Sequence, residues 1–136
     1  MENPLDPLQR RKFLETEANP NTRLDYVSTL DGSIQVGEDG NTIVTVRYVP
    51  DKQILQPKAF ITYLGVLNSI DWPSIEESAA TILDDLNNEV IPRWVQVTLE
   101  HSAPGDAGGL RSHRVMLEDR QPRWDNPTLL SHLKLI

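Results

Sequence analysis

Hydrophobic and polar positions change period several times along this chain, and each change predicts an element. Residues 24–36, LDYVSTLDGSIQV, alternate loosely, as a strand does. GEDGN at 37–41 has the Gly, Asp and Asn chemistry of a hairpin turn. Beyond it Val44, Val46 and Tyr48 alternate with Ile43, Thr45 and Arg47 until Pro50 ends the run, so the two segments predict an antiparallel hairpin. The period then becomes helical. Pro57 suits a first helical turn, and Phe60, Leu64 and Leu67 share one face over 57–69. Asp71 or Ser74 caps a longer helix over 74–90, striped by Ile75, Ala79, Ile82, Leu83, Leu86 and Val90 and stopped by Pro92. Burying such a stripe contributes roughly 1.5–3 kcal/mol per large side chain, enough to fix the helix on a sheet. Val95, Val97 and Leu99 alternate with Gln96, Thr98 and Glu100, which predicts a strand with one buried face. Residues 103–109 read as a loop and 110–118 as the last strand. The predicted order is strand, strand, helix, helix, strand, strand.

Composition narrows the chemistry. The 136 residues fit one domain with a real core. The absence of cysteine removes disulfides, thiolate nucleophiles and cysteine-ligated metals, and His101, His113 and His132 lack paired metal-ligand spacing, so no metal is expected. A net charge of −7 repels phosphate and argues against a nucleic-acid partner. Arg10, Arg11 and Lys12 read as a short solvated cluster. No apolar run approaches the roughly 20 residues that span a bilayer, which argues against membrane insertion. The first residues lack the apolar stretch of a secretory signal, so the expected location is the cytoplasm. Prolines at 4, 7 and 20 mark residues 1–23 as an extended arm, 24–119 as the folded domain and 120–136 as a tail apolar enough at its end to dock as a short helix or strand on a neighbour.

Particular words within that pattern resemble a known family. LETEANPNTRLDYV at 14–27 resembles the N-terminal segment of the QueF nitrile reductases, where a Glu-Thr, an Asn-Pro and an Arg-x-Asp-Tyr-like run precede the first strand. VRYVPDK at 46–52 resembles that family's second strand and turn, and EESAATILDDLNNEVIPRWVQV at 76–97 its long helix and following strand. The likeness spans about residues 14–118. It implies an α+β tunnelling fold, a ββααββ unit with two helices packed on one face of an antiparallel sheet, whose copies close into an oligomeric barrel. It also implies a homo-oligomer, a pentameric or decameric ring with sites between subunits, and NADPH-dependent reduction of 7-cyano-7-deazaguanine on the route to queuosine.

The resemblance also marks where this chain departs. Family members attack the nitrile with a cysteine, protonate with an Asp, seat the base with a His-Glu pair and hold NADPH with lysines. Counting back from Tyr48 puts Ser33 at the cysteine and Gly40 at the Asp, with Asp39 one position away. A serine hydroxyl is a poor nucleophile without an activating base. Glu76 matches the base-binding Glu, while Ile75 stands for the His. Lys58 matches the first cofactor lysine, but Gln56 and Ile61 replace its companions, and the loop at 103–109 has Asp106 in place of an arginine. The NADPH site therefore reads as degraded, and no cofactor is expected.

Each survivor has a plain structural use as well. Glu76 suits a first helical turn through the helix dipole. Lys58 reads as a solvated surface residue, Ser33 and Asp39 as hairpin residues, and Tyr63 and Trp94 as core or interface aromatics. Trp72, before Pro73, reads as an oligomer contact or as a platform for a planar ligand. No catalytic residue is assigned. The sequence alone points to a non-catalytic oligomeric scaffold, with a protein partner held through the two arms. The alternative is a purine or 7-deazaguanine pocket around Glu76, Ser33, Asp39 and Trp72, with altered chemistry.

Overall fold

The computed structural model describes residues 6–37, 41–102 and 109–133. Its elements in chain order are α1 (Pro7–Arg11), β1 (Thr16–Ala18), β2 (Ser28–Gln35), β3 (Asn41–Val49), β4 (Gln53–Leu55), α2 (Pro57–Leu67), α3 (Ile75–Glu89), β5 (Trp94–Ser102), β6 (Ser112–Arg120) and α4 (Pro127–Ser131). The predicted ββααββ unit is present as β2, β3, α2, α3, β5 and β6. These strands form one antiparallel sheet in the order β2-β3-β5-β6, while β1 and β4 pair separately. The hairpin closes with Ser28 opposite Tyr48 and Gln35 opposite Asn41. Asp39 lies outside the described residues.

The register explains which side chains enter the core. Val44, Val46 and Tyr48 face the helices with Val95, Val97 and Leu99, and all six are buried. Phe60, Leu64 and Leu67 from α2 and Ile75, Ala79, Ile82 and Leu86 from α3 close over them. Ser74 starts α3 as expected, its hydroxyl accepting from Glu77 N at 3.1 Å. The α2 helix lies against β2, and α3 lies against β5 and β6. Gly32 marks the tightest approach of sheet to helix, since a Cβ there would collide with Cδ1 of buried Leu64. β5 departs from the expected single buried face. Trp94, Gln96 and Thr98 are buried on the side away from the helices as well. β5 runs between β3 and β6, and Trp94 Nε1 donates across to Glu118 at 2.7 Å.

The N-terminal segment also departs from expectation. Among the described residues, from Asp6 on, the proline-punctuated stretch is not an extended arm. Pro7 opens α1 behind an Asp6 cap, and β1 pairs with β4, joined further by the Thr16 hydroxyl on Gln53. Nor are the arginines solvated. Arg10 is buried and holds the fully buried carboxylate of Asp85 through Nε at 2.6 Å and Nη2 at 3.0 Å. Arg11 Nε reaches the same carboxylate at 2.7 Å, and the Tyr63 hydroxyl donates to it at 2.5 Å. One acid on α3 thus ties α1, α2 and α3 together. Burial pulls the Arg10 pKa down, but Asp85 and Tyr63 outweigh it and leave the guanidinium above its usual value. Burial first, and Asp85 second, push the Tyr63 hydroxyl well above the usual tyrosine range, so it stays a donor.

Just past α3 and its Val90 cap, Ile91 has a left-handed φ of 50° and an exposed side chain. A β-branched residue is strained there. Two substitutions test this packing. Gly32→Ala is expected to lower unfolding free energy by about 1–3 kcal/mol through overpacking against Leu64, read by denaturant melts. Ile91→Gly is expected to raise it by about 1 kcal/mol, because relief of the left-handed strain exceeds the backbone entropy glycine adds to the unfolded chain.

Candidate functional site

The first turn of α3 projects Glu76 from the sheet's β6 edge. There Glu76 Oε2 meets His113 Nε2 of β6 at 3.0 Å, with side-chain exposures of 58% and 43%. Strand alternation places His113 on the helix-facing side with Val115 and Leu117, and register sets it opposite His101 of β5. His101 Nδ1 lies 3.3 Å from the Thr42 hydroxyl. A carboxylate at a helix start gains from the dipole, and an imidazole beside it fixes its orientation. The reading of single residues missed His113. The signal was the period-two pattern over 110–118, which puts His113 on the same face as the residues that contact α3.

Ser33 sits at the other edge of the sheet. It lies exposed on β2, opposite Ile43, with its side chain on the face away from the helices. Among the described residues no side chain hydrogen-bonds its hydroxyl, so nothing there takes its proton. A cleft of about 520 Å³ runs between this edge and α2, with Asp31, Gly32, Ser33, Ile61, Gly65 and Asn68 among its lining residues. Asp31 accepts from Thr45 Oγ1 at 2.8 Å. β2 and β6 are the two outer strands. Three strand spacings, about 14 Å, therefore separate Ser33 from the Glu76–His113 pair within one chain.

The other expected residues fall elsewhere. Trp72 is no exposed platform. Its ring is buried in the core and its Nε1 donates to the Leu67 carbonyl at 3.1 Å. Tyr63 and Trp94 are core residues. Lys58 is exposed on the first turn of α2, and Ile61, one turn on, is exposed too. Among the described residues no group of three or more His, Asp or Glu side chains is placed to hold a metal ion. No described helix is long and apolar enough to cross a membrane.

Known proteins are similar to most of this chain in sequence. The chain is 29% identical over 131 residues to the NADPH-dependent 7-cyano-7-deazaguanine reductase of Nitrosococcus oceani, covering 91% of this chain and 97% of that one. It is 31% identical over 105 residues to the reductase of the same name from Thermomicrobium roseum, covering 73% and 81%. The chain belongs to the QueF family. No family profile matches it. A crystal structure of the archaeosine synthase QueF-Like in the apo form superposes with a TM-score of 0.47 at 20% identity, over 74% of this chain and 95% of that one.

Several residues of the words that carry the QueF likeness, Asn19, Asp25, Tyr26, Asp51 and Arg93, meet in one polar network. Buried Asn19 donates to the Asp51 carbonyl at 2.8 Å and accepts from the Tyr26 hydroxyl at 2.6 Å. Arg93 binds Asp25 at 2.9 Å, Asp51 at 3.3 Å and the Thr22 carbonyl at 2.7 Å. Asp25 also accepts from Trp124 Nε1 at 3.1 Å and Asn126 Nδ2 at 3.0 Å, so this QueF chain ties its tail, with α4, onto its own domain. Burial raises the Asp25 pKa, but the Asn126, Arg93 and Trp124 donors prevail and hold it below its ordinary value. The unfolded chain therefore binds the proton more tightly, and this stabilisation is lost as pH falls. Asp25→Asn is expected to melt below the parent above about pH 5, with the gap closing as pH drops through the acid range below about 4, read by melting temperature against pH.

Proposed function

We propose that this QueF-family chain binds a purine-type base of the 7-deazaguanine class at a junction between two copies and does not reduce a nitrile. The Glu76–His113 pair carries the reading. His113 holds one oxygen of Glu76 and leaves Oε1 directed to no other side chain among the described residues. A guanine-type base offers adjacent ring N–H and amino donors, which match a carboxylate held in place in this way. Exposure of the pair in one chain fits a site walled by a second copy, and the Ser33 cleft on the opposite edge is the wall such a copy would supply.

The chemistry of the relatives does not transfer with the base. Capture of a nitrile carbon as a thioimide requires a thiolate, and the sequence has no cysteine. Ser33, beside Ile43, has no base among the described residues. Nor do the residues fit NADPH. Dinucleotide phosphates call for clustered cations, whereas Lys58 is followed one turn later by exposed Ile61 and preceded by Gln56 as the cap.

A second reading, a non-catalytic scaffold or assembly factor, is favoured by the use of Asn19, Asp25 and Arg93 in architecture. Titration calorimetry of the full chain with guanine, 7-cyano-7-deazaguanine and NADPH, with oligomer size measured alongside, separates the two. Base binding near micromolar without an NADPH signal is expected. Glu76→Ala is expected to abolish it while shifting stability by no more than about 0.5 kcal/mol, since the side chain is exposed. Silence from all three ligands in an intact oligomer favours the scaffold. Consumption of NADPH with the nitrile base overturns both readings.

A further inference from the structure

Thr42, His101 and His113 stand in one row across β3, β5 and β6, each opposite the next, on the side of the sheet that faces the helices. Glu76 closes the row from the first turn of α3 through its contact with His113. We infer that His101 is a specificity-determining residue of the base site, its Nε2–H donating to the 6-oxo group of a purine-type base held by Glu76. The inference rests on the base-binding reading and adds a second polar contact to it.

The tautomer of His101 follows from Thr42. The threonine is fully buried, and among the described residues the one hydrogen-bond partner of its hydroxyl is His101 Nδ1, at 3.3 Å. A buried hydroxyl hydrogen left without an acceptor is costly. Nδ1 is the acceptor within reach, so Thr42 donates to it and the neutral ring carries its proton on Nε2. Were Nδ1–H the donor instead, the Thr42 hydrogen would be buried with nothing to accept it.

The row also directs that proton. The two nitrogens of an imidazole point away from each other, and Thr42 draws Nδ1 toward β3. Nε2–H is therefore turned away from β3, to the side where His113 and Glu76 lie. His101 is half-buried, and among the described residues no group accepts from its Nε2.

Two unspent groups thus share this end of the sheet, the acceptor Glu76 Oε1 and the donor His101 Nε2–H. Neighbouring strands lie about 4.8 Å apart, a separation that one edge of a purine spans. A guanine-type edge presents its amino and ring N–H donors and then a carbonyl oxygen, which matches Glu76 followed by His101. A 6-amino purine fails at both contacts. It lacks the ring N–H that Glu76 accepts, and it meets His101 with another donor, leaving buried groups unpaired.

The test titrates the full chain with guanine and 6-thioguanine by calorimetry. The thio base keeps the ring N–H and amino donors for Glu76 and replaces the oxygen by sulfur, a weak acceptor. Guanine is expected to bind about tenfold more tightly than 6-thioguanine. His101→Phe keeps a flat ring without a donor, and is expected to weaken guanine about tenfold while changing 6-thioguanine by no more than about twofold. His101→Gln returns a donor and is expected to restore part of the preference. Equal affinity of the parent chain for the two bases overturns the inference and leaves the base-binding reading standing. A preference that survives His101→Phe does the same, and the parent ratio decides alone if that variant unfolds. Silence from both bases overturns this inference together with that reading.

Discussion

Three strand-to-strand steps separate β2 from β6, and the proposed function turns on that spacing. A planar base is smaller than the gap, so no single ligand of that kind touches Ser33 and Glu76 of one copy. The core enforces the separation. Val44, Val46, Val97 and Leu99 fill the two middle strands, and Gly32 locks β2 beneath α2. Under the proposed reading each edge offers half of a site, a cleft on one side and a carboxylate–imidazole pair on the other.

Two polar networks hold this shape, and both are built from residues that resemble chemistry in a one-dimensional reading. Asp85 lies inside a helix and accepts from three side chains on two other helices. Truncating either side would strand an uncompensated buried charge, which is far costlier than the pair is worth. Arg93 and Asp25 do the equivalent at the end of the sheet, fastening β5, the segment before β2 and the tail. Removing one partner of such a network breaks several contacts at once.

The order of the six main elements and the core faces of β3, α2 and α3 were legible because hydrophobic period decides them locally. Val44 alternates with Thr45, and Ile75, Ala79 and Ile82 follow the helical repeat, whatever the rest of the chain does. Arg10 was not legible. A basic triplet beside prolines looks solvated until α3 brings Asp85 alongside, 75 residues away. Trp72 was misplaced for a related reason, since a turn between helices reads as surface until its indole finds the Leu67 carbonyl. The period-two pattern around His113 gave its face, but its partner needed the approach of α3, which is not encoded near residue 113. Glu76 was readable as a residue type at a helix start, but its partner was not.

Loss of the thiol changes what binding energy can accomplish. A covalent thioimide would hold substrate regardless of how open the pocket is, whereas a single exposed carboxylate in water contributes little on its own. Under the proposed reading, affinity must come from desolvating Glu76 behind a second wall. That wall belongs to another copy, so the base and the neighbouring chain become linked ligands of the same edge. Any base that binds the junction and not the separated chains stabilises the assembly by mass action, and the assembly tightens the base in return. On that proposed reading, a chain without the thiol would couple the presence of a small planar molecule to its own association.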